Sequence, residues 1–335
     1  MVGGPTRSGF HPGRLHRLML DSLAESRLRL EGHLVITEAA SGAYVVTPVL
    51  AALAGAQVQA FTRTTRFGTF EEVAAATREL AARAGVLDRI EIVADRDRLR
   101  AEEADVLTNS GHLRPIDAAL VGRLRPGTAL PLMFEAWEFR ASDLDLEACQ
   151  RRGVLVAGTN ERHPAVDVFS FLGPMALKLL FDAGIAVYRS RIVLLCDNPF
   201  SSFIARSLEP LAGKLAVTEV PATPPFSPDA VLVAIKPSSA PAEVLALTER
   251  IADTYSDAAI VQYWGDLDRR LFQQRGMPVW PPEPPSPGHM TVLPGDIGPE
   301  AIVRLQTGGL KVAEVLLKPA EERSAEDLAF IQPLY

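Results

Sequence analysis

Short apolar runs alternate with amphipathic stretches along most of the chain. Runs such as 90–93 and the AVLVAIKP segment that begins at Ala230 have the length of buried strands. Apolar residues spaced three and four apart predict helices over 14–29, 70–84 and 300–317. Strands that alternate with helices are typical of parallel sheets covered by helices on both faces. The pattern therefore predicts an α/β fold.

Two such blocks follow each other and predict two domains. The first is assigned to 1–163, with an N-terminal helical extension over 1–30. An interdomain helix is predicted over 164–189, ahead of a second domain over 190–298. Residues 299–335 are predicted to form a C-terminal helix and tail that return towards the first domain.

Composition narrows the class of protein. With 335 residues, 47% of them hydrophobic, the chain is long enough for two globular cores. A net charge of -7 without a basic stripe argues against a nucleic-acid partner. No apolar run has the length of a membrane span and the N-terminus lacks the apolar region of a signal peptide, so we expect a cytoplasmic protein without a membrane partner. Cys149 and Cys196 lack metal-ligand spacing, and no metal site is predicted.

One segment, IVLLCDNPFSSFIARSLEPLAG, has the strand-turn-helix rhythm of a dinucleotide-binding start without its glycines. The positions of a Gly-x-Gly-x-x-Gly turn fall on Cys196, Asn198 and Ser201. Asn198 and Ser201 can still donate hydrogen bonds to an anion, although their Cβ atoms oppose close approach of a pyrophosphate. Glu219 ends the next strand, where an acidic residue would hold ribose hydroxyls. NAD or NADP is thus a candidate cofactor, with weaker binding than an intact fingerprint provides.

A family resemblance is carried by five segments that follow one another in the family's order. They read SDLDLEACQRRGVLVAG, VDVFSFLGPMALKLL, AVLVAIKP, AAIVQYWGDLD and VLPGDIGPEAIVRLQTGGLKVAEVL. The chain resembles the D-2-hydroxyacid dehydrogenases and the related formate and glycerate dehydrogenases. This resemblance implies a flavodoxin-like first domain, a Rossmann-like second domain, a ligand cleft between them, and a homodimer built on the interdomain helix.

The chain departs from the family at its functional positions. Trp264 stands where the family has a carboxylate-binding arginine, and no histidine occupies the turn around Asp296 that should hold the proton donor. The family's Gly-x-Gly segment, whose amides bind the substrate carboxylate, is replaced by Glu138-Phe139-Arg140. We therefore expect the family's fold in this chain, but we assign none of the family's catalytic residues to it. Lys236 follows the strand AVLVAI. It is assigned to cofactor binding together with Trp264, Asn198, Ser201 and Glu219.

Replacement chemistry is predicted at the strand end MFEAWEFR. Carboxylates there would suit an amine or a hydroxyl-rich ligand, whereas a structural ion-pair network is the alternative interpretation. A histidine in TNSGHLRPID would face the same region, and one in the later Pro-rich loop could act as a general acid or base if that loop folds inward. The catalytic candidates are Glu135, Glu138, Arg140, His112, Asp296 and His289.

Three further loops carry polar chemistry. Ser41 and Gly42 in TEAASGAY could offer amides to an anion at a helix start, although a simple turn explains them as well. The TRTTRFGT loop has two arginines that would suit a phosphate or carboxylate, or form an exposed approach to the next helix. The GTNERHP loop holds Glu161 and two basic neighbours, for which a solvated loop is the alternative.

Two functions remain open from the sequence. The first is a divergent oxidoreductase of the D-2-hydroxyacid dehydrogenase type, linked to NAD or NADP and acting on a small metabolite other than an ordinary 2-hydroxy acid. The alternative is a repurposed member that has lost the dinucleotide and uses its cleft for non-redox chemistry or for ligand binding. Lost glycines, arginine and histidine favour the second, and the fold favours the first.

Overall fold

A computed structural model describes residues 7–334, and the chain divides into two compact units. The first unit is the chain up to Val168 together with the chain from Gly298 onwards, and the second unit is Phe169–Ile297. Each has its own mainly parallel sheet and its own buried clusters. The predicted α/β fold with doubly wound parallel sheets is confirmed.

The strands are short and most are buried. Those of the first unit are β1 (Leu34–Glu38), β2 (Gln57–Phe61), β3 (Ile90–Val93), β4 (Val106–Leu107), β5 (Ala129–Pro131), β6 (Leu155–Thr159) and, near the C-terminus, β12 (Ile331–Gln332). Those of the second unit are β7 (Arg191–Leu195), β8 (Lys214–Thr218), β9 (Ala230–Ala234), β10 (Ala259–Trp264) and β11 (Val279–Trp280).

Helices connect and cover these strands. In the first unit they are α1 (Pro12–Ser26), α2 (Val46–Leu53), α3 (Phe70–Arg83), α4 (Ala118–Arg123), α5 (Leu146–Arg152), α11 (Glu300–Leu317) and α12 (Ala325–Ala329). In the second unit they are α6 (Leu172–Asp182), α7 (Phe200–Leu208), α8 (Pro241–Thr254), α9 (Arg269–Gln274) and α10 (Pro294–Ile297). Local chemistry sets several of these boundaries. Thr69 and Glu72 form a capping box that starts α3, and Gly153 in a left-handed conformation ends α5.

The two sheets differ in strand order. The first runs β3-β2-β1-β4-β5-β6 in parallel, with β12 added antiparallel beside β6. The second runs β8-β7-β9-β10-β11, all parallel. The strand order therefore reverses between β1 and β4 in the first unit and between β7 and β9 in the second. Ligands of open α/β sheets bind outside the carboxyl ends of the strands at such a reversal.

The two sheets share part of their strand order. The first contains the flavodoxin-like order β2-β1-β4-β5-β6 with β3 added at its edge beside β2, and the second, β8-β7-β9-β10-β11, has that order without the added strand. The sequence of a buried strand records only that both of its faces are covered. Whether the third strand extends the sheet beyond the second, as β3 does, or crosses back beyond the first, as β9 does, leaves no mark on its hydrophobic pattern.

Helix α11 forms much of the core of the first unit. It packs against α1, α2 and the strands β5 and β6, and its buried residues lie around its whole circumference. Its buried Gln306 accepts a hydrogen bond from the Thr47 hydroxyl at 3.0 Å. Helix α11 lies near the C-terminus and packs against α1 near the N-terminus. It therefore joins the C-terminal segment to the first unit.

Gly158 in β6 provides a test of this packing. A Cβ atom at this position would lie 2.6 Å from the backbone nitrogen of Ala136, which cannot move without displacing the segment after β5. We expect Gly158→Ala to lower the free energy of unfolding by about 2 kcal/mol or more in urea denaturation. Gly122→Ala is the control, because it adds a methyl group in open space on α4 and should stabilise the protein slightly. Equal effects of the two substitutions would contradict the packing described.

Candidate functional site

Polar side chains converge at the carboxyl ends of β1, β4, β5 and β6 in the first unit. These strands flank the reversal of strand order between β1 and β4. We call this group the strand-end cluster; it consists of Glu38, Tyr44, Asn109, Arg114, Glu135, Glu138 and Glu161.

Glu38 ties the end of β1 to the loop after β4. It is buried as the last residue of β1, and its Oε2 accepts the backbone N–H of His112 at 2.8 Å. Tyr44 lies in the turn that follows β1. Desolvation, followed by the charge of Glu38, raises the pKa of Tyr44 to about 12. The tyrosine hydroxyl therefore stays protonated and is available as a hydrogen-bond donor.

Asn109 and Arg114 form the centre of the cluster. The Nε of Arg114 donates to Asn109 Oδ1 at 2.9 Å, and one of its terminal nitrogens donates to the Asn109 carbonyl at 2.7 Å. Arg114 also pairs with Asp143 at 3.5 Å. Asn109 is fully buried, and within the described residues its Nδ2 has no hydrogen-bond partner. An unpaired buried donor costs roughly 1–3 kcal/mol, which an oxygen atom of a ligand would recover.

Two glutamates in the cluster have raised pKa values. Desolvation, with a contribution from the Glu135 carboxylate, raises the pKa of Glu138 to about 7, against the opposing charges of Arg140 and Arg114. Glu138 is nevertheless an exposed residue, so solvent and a ligand can reach it. The pKa of Glu161, in the loop after β6, lies well above its usual range because of burial and then the charges of Glu138 and Glu135. With a pKa of about 7, Glu138 can both accept and donate a proton near neutral pH.

Glu135 has a different role from Glu138. It is fully buried, its Oε1 accepts from Gln332 Nε2 at 2.9 Å, and its Oε2 accepts from Trp137 Nε1 at 2.5 Å. Arg162 lies 3.5 Å from the same carboxylate. The carboxylate of Glu135 is therefore engaged with the protein, as the ion-pair interpretation predicts, and it acts on the site through the pKa values of its neighbours.

The structure brings together four of the six catalytic candidates. Glu135, Glu138, Arg140 and His112 all lie at the strand ends of the first unit, with His112 joined to the cluster through its backbone N–H.

Asp296 and His289 belong to the second unit. There, the Oδ2 of Asp296 accepts the N–H of Leu293 at 2.8 Å, and His289 lies in an exposed loop with its Nδ1 at 3.0 Å from the Pro287 carbonyl.

The turn after β7 is closed by its own side chains. Asn198 Nδ2 donates to the Ala234 carbonyl at 2.7 Å, and its Oδ1 accepts the N–H of Phe200 at 3.1 Å. The N–H of Ser201 points to the Asn198 carbonyl at 3.2 Å. Asp197 accepts the N–H of Lys236 at 2.9 Å. Because these amides are satisfied and a carboxylate stands beside them, the turn does not fit a pyrophosphate.

The remaining cofactor candidates are Trp264, Glu219 and Lys236. Trp264 is buried in the second unit, where it stacks on Phe200 at 5.0 Å between ring centroids and donates to the Gly288 carbonyl at 3.1 Å. Its side chain is part of that core. The side chains of Glu219 and Lys236 are exposed, after β8 and β9 respectively.

Sequence reasoning missed Glu38, Tyr44 and Arg114. A usable signal existed for Glu38, since it is a charged residue at the end of an otherwise apolar strand of the predicted sheet. Arg114 has no such signal, because its place depends on how the loop after β4 folds back onto Asn109.

Two broader findings apply to residues 7–334. In this range no group of three or more His, Cys, Asp and Glu side chains is arranged to hold a metal ion. None of the helices found there combines the length and the apolar character needed to cross a membrane.

Comparison with known proteins supports the fold. No protein-family model matches the sequence, and no curated protein sequence matches it significantly. Among solved structures, a dipicolinate synthase component from Bacillus halodurans matches with a TM-score of 0.58 and 11% identity, covering 87% of this chain and 100% of that one. Dipicolinate synthase from Bacillus subtilis matches with a TM-score of 0.56 and 11% identity, covering 90% of this chain and 99% of that one. This chain therefore shares its two-unit α/β fold with those proteins.

Proposed function

We propose that this protein is an oxidoreductase that acts on a small polar metabolite at the strand-end cluster of its first unit. The observation that carries the proposal is the combination of Glu138, with a pKa of about 7, and the unpartnered buried amide of Asn109 at the strand-order reversal. Perturbed acids and convergent polar groups at that place are typical of ligand sites in open α/β sheets.

The cluster supplies acid–base chemistry that suits oxidation of an alcohol or amine. In an oxidation, the carboxylate of Glu138 would take the proton of the substrate O–H or N–H, and in a reduction the protonated Glu138 would return it. A bound nicotinamide would supply the hydride acceptor or donor for the adjacent carbon. Asn109 Nδ2 would donate to the substrate oxygen, and the charge of Arg114 would stabilise negative charge that develops there. A pKa near the working pH is the value that favours a general acid or base.

Glu138 should be the residue that titrates near neutrality. In the wild type, carbon NMR of labelled glutamates should show a carboxyl resonance that titrates near pH 7, and Glu138→Gln should remove it. Glu147→Gln, at an exposed position on α5, should leave that resonance in place. A titration near pH 7 that persists in Glu138→Gln would contradict the assignment.

Activity provides the second test. The nicotinamide absorbance band would be followed with NADH or NADPH and a panel of aldehydes, ketones and imines. On any compound that is turned over, Glu138→Gln should lower kcat by about 10²- to 10⁴-fold, and Glu147→Gln should not. An unchanged kcat in Glu138→Gln would overturn the proposed role.

A second candidate function is ligand binding or non-redox chemistry at the same cluster. The closed turn around Asn198 favours it, because that turn does not fit a dinucleotide. Unchanged nicotinamide absorbance with the whole panel, together with a loss of the Glu138 titration when a metabolite is added, would support this candidate over the oxidoreductase.

A further inference from the structure

The C-terminal strand β12 lies beside the short turn that carries Glu138. Within β12, Gln332 is paired with Gly158 of β6. The turn, Ala136–Glu138, follows β5 and passes directly over this glycine, because a Cβ atom on Gly158 would lie 2.6 Å from the Ala136 nitrogen. The C-terminal strand and the turn therefore meet at the end of β6.

Gln332 holds the start of this turn by two hydrogen bonds. Its Oε1 accepts the backbone N–H of Ala136 at 2.8 Å, and its Nε2 donates to the Oε1 of Glu135 at 2.9 Å. The two partners demand opposite ends of the amide, since one is a donor and the other is a carboxylate. A single side chain thus satisfies a backbone group and a fully buried acid at the start of the turn.

The carboxyl group of Glu138 is placed through Glu135. Its Oε1 accepts the Glu135 N–H at 3.3 Å, and its own backbone N–H donates to the Glu135 carbonyl at 3.0 Å. A contact that fixes Glu135 therefore also fixes Glu138. The titratable and charged groups that act on the Glu138 carboxyl are Glu135, Glu161, Tyr44, Arg114 and Arg140.

The segment that carries Gln332 is itself anchored to the loop after β6. The Asn160 side chain donates to the Ala329 carbonyl at 2.8 Å, and the Asn160 N–H donates to the Phe330 carbonyl at 2.9 Å. The buried ring of Phe330 stacks on His163 with 3.6 Å between ring centroids. These contacts do not involve the turn, so Gln332 is a fixed support for it.

We propose that Gln332 is a positioning residue for the reaction at the strand-end cluster, because it holds the turn that carries the Glu138 carboxyl. The inference rests on the proposed function, in which Glu138 exchanges the proton. Gln332 acts through Ala136 and Glu135 and does not itself take part in proton transfer. Without its two hydrogen bonds, both partners would have to find water, the turn would loosen, and Glu138 would gain contact with solvent.

Carbon NMR of labelled glutamates in the full chain tests this role without turnover. Gln332→Met keeps the length of the side chain and removes both hydrogen bonds. We expect the Glu138 carboxyl, with a pKa of about 7 in the wild type, to titrate at least about 0.5 pH unit lower, because solvation favours the ionised form. Gln332→Asn is one methylene too short to reach both partners and should shift the titration in the same direction. Gln273→Met, at an exposed position on α9, should leave it unchanged.

Steady-state kinetics give a second readout that a loss of stability alone would not produce. On any compound that is turned over, Gln332→Met should lower kcat by about 10-fold and change KM by less than about 3-fold, because a displaced proton-transfer group affects the chemical step more than substrate binding. Gln273→Met should change neither.

The outcomes separate this role from the proposed function. If the wild type titrates near pH 7 and neither folded Gln332 variant shifts that titration, the positioning role is overturned and the proposed function stands. If the wild type shows no such titration, both are overturned. Melting curves establish that each variant is folded, and Gln332→Asn decides the question if Gln332→Met does not fold.

Discussion

Raising the pH above about 5 should destabilise the wild type more than the Glu161→Gln variant. Glu161 is buried, and its pKa in the folded protein lies well above the value of about 4.3 expected in the unfolded chain. The folded state therefore holds this proton more tightly. The stability that it contributes is complete below the unfolded pKa and is lost as the pH rises through the folded pKa. Over that window the loss approaches about 1.4 kcal/mol per pH unit.

Urea denaturation at a series of pH values measures this effect as the difference between the two proteins. Glutamine resembles the protonated side chain, so the stabilities should agree near pH 5 and diverge as the pH rises. Glu147→Gln, in which an exposed carboxylate is removed, should run parallel to the wild type. Parallel curves for Glu161→Gln and the wild type would show that Glu161 is ionised in the folded protein.

Removal of Lys311 should produce the largest loss of stability among single ion-pair variants. The side chain is only 7% exposed on α11, and its Nζ donates to both carboxylate oxygens of Glu314, at 2.8 and 2.9 Å, and to the Arg27 carbonyl at 3.3 Å. Lys311→Met would leave the Glu314 carboxylate buried, with Lys318 at 3.4 Å as its remaining basic neighbour. We expect a loss of about 3 kcal/mol.

A second substitution shows where this loss originates. Adding Glu314→Gln to Lys311→Met should recover part of the stability, because it removes a buried charge that has lost its main partner. Lys178→Met removes an exposed pair with Asp182 and should cost less than about 0.5 kcal/mol. If the exposed and buried variants lose the same amount, Lys311 does not have the buried contacts described.

The positions of helices and strands could be predicted from the local sequence pattern more readily than the strand order of the sheets. The predicted strand over 90–93 and the C-terminal helix over 300–317 agree with β3 and α11, because periodicity and helix boundaries are written in neighbouring residues. The strand order could not be read in the same way. It depends on which sheet edge each crossover reaches, and the hydrophobic pattern of a buried strand does not record that edge.

The site was predictable where chemistry followed a strand directly. The sequence predicts Glu135, Glu138 and Arg140 as candidates because charged residues after β5 interrupt an apolar pattern. The sequence could not show that other side chains donate hydrogen bonds to the Glu135 carboxylate whereas that of Glu138 is not held in this way. One of the partners of Glu135 is Gln332, which is far away in the chain. Trp264 shows the converse problem, because its alignment with a family position did not reveal that it packs on Phe200.

Amide hydrogen exchange of the full chain, with and without NADPH, tests most directly whether the ligand site lies in the first unit. The account predicts slower exchange with NADPH in two segments, 38–45 and 108–114, which contain the β1–α2 turn and the loop after β4. Exchange over 196–204, the closed turn of the second unit, should stay the same. Slower exchange confined to 196–204 would contradict the account.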